Sequence, residues 1–293
     1  MSQFDLARAV GHESKPSPVA WTKRDLLLYA LGIGAKKDEL EYVYDKDERF
    51  VAFPTYPVVL MLKGASSDVT DFSKMVGSDR APGLPEFDPN RAIHGGMSIE
   101  ILKPLPLQSG EGWTLSKKII GVTENKSGII VDAELMLRDP KGTPFQSRLL
   151  DSTLEPKLLA GASPKLSRLD RKPRTRQRTA SRIMCGDYNP LHIDPSIGKR
   201  TGFGGVILHG LSSYGFAARA VLKSVPGELK GFGVRFTSPV RPGDTLETSI
   251  WEMGPGPDGT TEVAFVQKNL ATGKIALGAG VAYIRKGAPK SKL

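Results

Sequence analysis

Residues 185–210 read CGDYNPLHIDPSIGKRTGFGGVILHG, which sets an acid, an amide and an imidazole within six positions and follows them with glycines and a second imidazole. Gly186 lets the backbone turn at the end of the short helical stretch TASRIMCGD, and Asp187 follows directly. Pro190 forces Asn189 into an extended conformation and directs the chain toward His192. Singly, each residue reads as a cap or a turn former. Together, Asp187, Asn189 and His192 place two proton-transfer groups five positions apart on a stiff turn, a geometry able to grip one water between carboxylate and imidazole. A metal site would draw on the same residue types, but no third and fourth ligand stand nearby in the sequence, so no metal is expected.

Downstream, FGGVILHGL delivers the chain into LHGLSSYGFAARAVLKS, where Leu208, Leu211, Ala218, Val221 and Leu222 recur at helical spacing. One face of this helix should be buried against a sheet. The peptide N–H groups of its first turn have no partner within the helix and carry the positive end of its dipole, so an oxygen held there is stabilised as it gains negative charge. A thioester carbonyl whose α-carbon takes or loses a proton is such an oxygen. One donor of this kind contributes about 3 to 4 kcal/mol to a transition state. Gly210, with no side chain, permits the close approach, while His209 reads as a packed or capping imidazole. Cys185 reads as a small residue in a packed turn rather than a nucleophile.

Around this stretch the chain is organised twice. The first half opens with Thr22-Lys-Arg-Asp25, a helix-start pattern, and the amphipathic run LLLYALGIG. Strand-like segments follow: MSIEILKPLPL, TLSKKIIGVTEN, GIIVDAELMLRD and TPFQSRLLDSTL, parted by Gly, Pro, Asn and Ser turns and read as an antiparallel meander. The second half repeats the order, its helix followed by GFGVRFTSPV, DTLETSIWEM, TEVAFVQKN and KIALGAGVAYIRK. PLPLQSGE and PVRPGDT occupy corresponding places, which marks a duplication. The expected units are 1–155 and 175–287, joined by a basic, Pro-containing linker at 156–174 and followed by a tail at 288–293. An irregular region, 64–92, is longer than a routine connection.

Composition narrows the function classes. The chain has 293 residues, 39% hydrophobic and 25% charged, with one cysteine and no apolar run long enough to span a bilayer. The N-terminus lacks the basic and apolar regions of a secretory signal. A net charge of +10 invites a nucleic-acid reading, but the basic run PKLSRLDRKPRTRQR carries no interleaved aromatics, and no nucleic-acid-binding motif accompanies it. It reads as a solvated linker, or as a surface that attracts a small polyanion. The string at Gly254–Gly259 satisfies GxGxxG, yet two prolines and a following strand replace the helix that would receive a pyrophosphate, so no nicotinamide cofactor is expected. The chain finishes Ser291-Lys292-Leu293, the receptor-read address for peroxisomes.

The stretch 185–210 resembles the signature of the hydratase 2 group within the MaoC-like dehydratases, and RDLLLYALGIGA, FPTYPVVL and HGGMSIEILKPLP in the first half resemble its eukaryotic two-unit form. The similarity runs from about Thr22 to Arg285. The resemblance implies an α+β tandem (double) hot-dog fold, each unit a curved antiparallel sheet wrapped around a central helix. It also implies reversible syn hydration of trans-2-enoyl-CoA to (R)-3-hydroxyacyl-CoA in peroxisomal β-oxidation, with coenzyme A as part of the substrate and no separate cofactor. By the same resemblance, Asp187 and His192 activate the water and relay its proton, Asn189 orients them, and the Gly210 N–H holds the enolate oxygen. His94, Gly95, Lys126 and Phe236 fall at substrate-contact positions. A homodimer is implied, without the dehydrogenase and lipid-transfer parts of the family's larger enzymes. Where the second half carries Asp187 to His192, the first reads LGIGAKKDEL, with no acid-amide-imidazole set, so one active site per chain is expected and the first unit accommodates substrate. Two other readings stand beside this one: a hot-dog acyl-CoA thioesterase, and a noncatalytic acyl-CoA-binding module.

Overall fold

Thr22 and Asp25 begin the first regular helix reciprocally. The Thr22 N–H donates to Asp25 Oδ2 at 2.8 Å while the Asp25 N–H donates back to Thr22 Oγ1 at 3.4 Å, a capping box that satisfies otherwise orphaned donors. In the computed structural model, which describes residues 5–69, 81–86, 93–125, 128–151, 172–178 and 186–287, the first half runs β1 (Ser17–Pro18), α1 (Lys23–Gly32) and α2 (Leu40–Val43). A 3₁₀ turn (Tyr56–Val59) continuous with α3 (Leu60–Lys63) follows, then β2 (Gly96–Ile101), β3 (Thr114–Asn125), β4 (Gly128–Arg138) and β5 (Pro144–Asp151). The second half comprises β6 (Lys172–Arg178), α4 (Pro195–Arg200), α5 (Gly210–Ser224), β7 (Glu228–Phe236), β8 (Thr245–Pro255), β9 (Thr261–Asn269) and β10 (Ile275–Arg285). Lys126, Cys185, nearly all of the TASRIMCGD stretch, most of the 64–92 region, the linker up to residue 171 and the terminal Ser-Lys-Leu lie outside the described residues.

The ten strands among the described residues join one antiparallel sheet in the order β1-β3-β4-β5-β2-β7-β10-β9-β8-β6. The order reads the same from either edge, with the β2–β7 pair at its middle, where Met97 faces Val234 and Ile99 faces Phe232. The duplication is therefore an approximate two-fold, and the two hot-dog sheets are fused edge to edge. Two expectations change. Only three strands of each half form a meander. The fourth, β2 or β7, leaves the helical region and pairs with the far end of that meander and with its sister strand. The basic residues 172–178, expected within or beside a solvated linker, form the edge strand β6 on β8. The Gly254–Gly259 string closes the β8–β9 hairpin through a 3₁₀ turn, as its prolines required.

Helix α5 is buried without interruption from Leu211 to Val221, more completely than the one apolar face read from its spacing. The sheet covers one side and the first half's helices cover the other. At Gly215 a Cβ would lie 2.3 Å from Ile33 Cγ2, so α1 approaches a position where only hydrogen fits. Arg219, the one charge in the buried run, donates to Glu39 Oε1 and Oε2 at 2.9 and 3.0 Å, so neither ion is left uncompensated. Among the described residues of the first half, the helical segment preceding the junction strand is the short Tyr56–Lys63 stretch. That stretch runs about two turns, where α5 runs fifteen residues.

Candidate active site

The segment before α5 and the turn carrying Asp187 are clasped by two reciprocal hydrogen bonds. His192, on the turn, donates from Nδ1 to the carbonyl oxygen of Ile207 at 3.0 Å. His209, at the N-cap of α5, donates from Nε2 to the carbonyl oxygen of Asp187 at 2.9 Å. A carbonyl only accepts, so both bonds fix tautomers: His192 carries its hydrogen on Nδ1 and His209 on Nε2. The rings lie against each other with centroids 3.8 Å apart.

The turn itself is held by its own side chains. Asp187 Oδ1 accepts the N–H of Asn189 at 2.9 Å, and Asn189 Oδ1 accepts the N–H of Leu191 at 3.0 Å, capping the 3₁₀ turn Pro190–His192. Gly186 adopts φ +75°, and a Cβ there would sit 3.2 Å from Lys63 Cβ, so glycine serves both the left-handed turn and the close approach of α3. With Oδ1 occupied, Asp187 presents Oδ2, 3.7 Å from His192 Nε2. His192 Nε2 bears a lone pair, because the hydrogen is on Nδ1. Two acceptors thus face each other across a gap wider than a hydrogen bond, an arrangement that a water donating to both satisfies.

Burial sets the charge of the imidazoles. His192 is 8% exposed, and desolvation pushes its pKa down to about 4; the neighbouring His209 adds to the fall, the Asp187 carboxylate and the Ile207 carbonyl oppose it, and His94 adds a little more. Burial lowers His209 as well, against the opposing pull of Asp187. Both rings are neutral at pH 7. Asp187, His192 and His209 also bring one ligand-type atom each within 4.8 Å of one another. They suit a metal poorly, since His209 Nε2 spends its hydrogen on the Asp187 carbonyl and has no lone pair to give.

The N–H groups of Ser212 and Ser213 both run to the His209 carbonyl, at 3.1 and 3.4 Å, and those of Gly210 and Leu211 precede any helical acceptor. A Cβ on Gly210 would lie 3.2 Å from Phe236 Cε1, so the bare α-carbon leaves room beside the Phe236 ring. Phe236 donates its N–H to the Gly95 carbonyl at 2.9 Å, and its ring centroid is 6.2 Å from that of His94. The fold therefore gathers Asp187, Asn189, His192, Gly210, Phe236, Gly95 and His94 into one region. The sequence reading missed the donor role of His209. Its signal was present, an imidazole directly before the helix, but the carbonyl it reaches lies 22 residues away.

Comparison with known proteins locates this region in a family. Residues 163–275 match the MaoC like domain, and residues 20–146 match the MFE-2 hydratase 2 N-terminal domain. The chain is 31% identical to a probable enoyl-CoA hydratase 2 of Dictyostelium discoideum over 96% of each chain. It is 31% identical to the peroxisomal multifunctional enzyme type 2 of Mus musculus over 84% of this chain and 35% of that longer protein. Among solved structures, a MaoC-like dehydratase from Phytophthora capsici superposes with a TM-score of 0.80 at 31% identity, covering 97% of this chain and 100% of that one.

Proposed function

The chain belongs to the MaoC-like dehydratases of the hydratase 2 type, a family of hydro-lyases, and from that premise we propose that it adds water reversibly to trans-2-enoyl-CoA to give (R)-3-hydroxyacyl-CoA. The observation that carries the reading is the pair of acceptors, Asp187 Oδ2 and His192 Nε2, 3.7 Å apart beside the N-terminus of α5. One water donates a hydrogen to each. As its oxygen attacks the β-carbon, neutral His192 takes a proton; electrons move from the double bond into the thioester carbonyl. The Gly210 N–H and the helix dipole stabilise the resulting enolate oxygen. The pair then returns a proton to the α-carbon from the same face, so hydroxyl and hydrogen add syn.

Asn189 holds Asp187 at Oδ1, and His209 holds its backbone, which together leave Oδ2 directed at the water. His94, Gly95 and Phe236, which lie together, are proposed to border the thioester. Lys126 is proposed as a coenzyme A contact on the resemblance alone. The terminal Ser291-Lys292-Leu293 and the peroxisomal names of relatives support delivery to peroxisomes and a place in β-oxidation there, and a homodimer is proposed on the resemblance alone.

A thioesterase would direct the same water at the carbonyl carbon. Incubation with crotonyl-CoA separates the two: hydration removes the enoyl absorbance, releases no thiol and leaves (R)-3-hydroxybutyryl-CoA. Free thiol, or an (S) product, would contradict the proposal.

A further inference from the structure

The described site lies where the C-terminal end of β7 meets the start of β2, at the point where the chain turns into α5. The approximate two-fold of the sheet carries that place onto another, where the C-terminal end of β2 meets the start of β7 and the chain turns into Tyr56–Val59. A cavity of about 230 Å³ lies there, walled by Phe53, Pro54, Pro57, Ile101, Leu222 and Leu229. Gly210 and Leu222 stand at opposite ends of α5, about 18 Å apart at the helical rise. The cavity is therefore separate from the water-holding pair.

Its chemistry is that of a site stripped of catalysis. No imidazole lines it. The ionisable groups at its rim are Glu228 and Lys103, with the Tyr42 hydroxyl, whose pKa burial raises to about 12. Glu228 is engaged by Lys230 at 2.5 Å and by Arg285 at 3.8 Å. Lys103 is exposed and has no carboxylate partner among the described residues; its ammonium lies 5.8 Å from the centroid of the Phe145 ring. An apolar chamber with an exposed cation at its rim, one with no carboxylate partner among the described residues, suits an aliphatic chain that ends in an anion. At about 30 Å³ for each water-sized group, the chamber holds roughly seven chain carbons.

We propose that this cavity is a second, noncatalytic binding site that takes a medium-chain fatty-acid anion, the chain between Leu222 and Pro57 and the carboxylate on Lys103. The choice of an acyl-type ligand rests on the acyl-thioester reading of the sister site, since duplication would have left both halves with a chamber for the same kind of chain. Because Leu222 and Gly210 share one helix, an occupant also braces α5 from the end opposite the chemistry.

Calorimetric titration of the full chain with octanoate tests this. One molecule per chain is expected to bind, with no loss of affinity when crotonyl-CoA saturates the other site. Lys103→Gln should weaken binding roughly fivefold to tenfold, as loss of one exposed charge-assisted contact does. Ala52→Phe, which puts a ring into the chamber, should abolish it. Both variants should hydrate crotonyl-CoA at the unaltered rate. Absence of binding, displacement of octanoate by crotonyl-CoA, or equal affinity in Lys103→Gln would overturn the proposal. If octanoate binds as stated while crotonyl-CoA is not hydrated, the hydratase reading fails and the second site stands.

Discussion

Acidification is a direct probe of His192, because the ring is buried neutral in the folded protein and becomes an ordinary, hydrated imidazole when the chain unfolds. Its folded pKa is about 4 against a reference of 6.5. Between those values the unfolded chain binds the extra proton and the folded chain does not, so stability rises with pH through this window and is lost as pH falls through it. The 2.5-unit difference corresponds to about 3 kcal/mol lost between pH 7 and pH 4, at up to about 1.4 kcal/mol per unit. The groups facing the ring are Asp187, His209 and His94, and His209, also lowered by burial, adds a loss of the same sign. The comparison that isolates His192 is His192→Asn, which keeps an amide N–H near the Nδ1 position and removes the titration. Urea unfolding of both proteins at pH 7, 6, 5 and 4.5 should show the wild type losing stability more steeply than the variant below pH 6.5. On the same argument kcat/KM should hold level down to about pH 5 and decline only near pH 4, where the base is protonated. Parallel stability curves for the two proteins, or an activity limb at 6.5, would refute the reasoning.

Two further substitutions test parts of the frame. His209→Ala should leave the Asp187 carbonyl unpartnered and lower kcat about tenfold to a hundredfold with little change in KM, whereas His209→Gln, which can still donate from the position of Nε2, should recover most of the rate; equal loss in both would reduce His209 to packing. Glu39→Ala should strand the Arg219 guanidinium inside the helix interface and cost about 3–5 kcal/mol in chemical unfolding, and a loss below about 1 kcal/mol would mean that water reaches the pair.

Local chemistry made much of the fold legible. Thr22 and Asp25 announced α1, and TLSKKIIGVTEN and TEVAFVQKN coincide with β3 and β9 from first residue to last, because Gly, Asn and Thr-Gly turns bound them on both sides. Which strands are neighbours was not legible. β2 and β7 carry the same alternation as the meander strands, and only the two-fold packing of the halves places them side by side. The basic edge strand β6 misled for a related reason. Paired on one side only and crowded with Arg and Lys, it has the composition of a linker, while its strand character comes from β8. Within the site, Asp187, Asn189 and His192 were readable because a single proline turn holds all three. The tautomers, and with them the direction of the lone pair on His192, depend on carbonyls at Ile207 and Asp187 that a linear reading does not pair. The cavity at Leu222 and Pro57 was invisible for the same reason: its walls come from both halves.

The proposed hydration turns on one water held between Asp187 and His192 on one face of the substrate. Hydration of crotonyl-CoA in deuterated water reports it most directly, through the relative configuration at the two new centres. Deuterium at the α-carbon on the same face as the new hydroxyl is the predicted result, and delivery from the opposite face would contradict it.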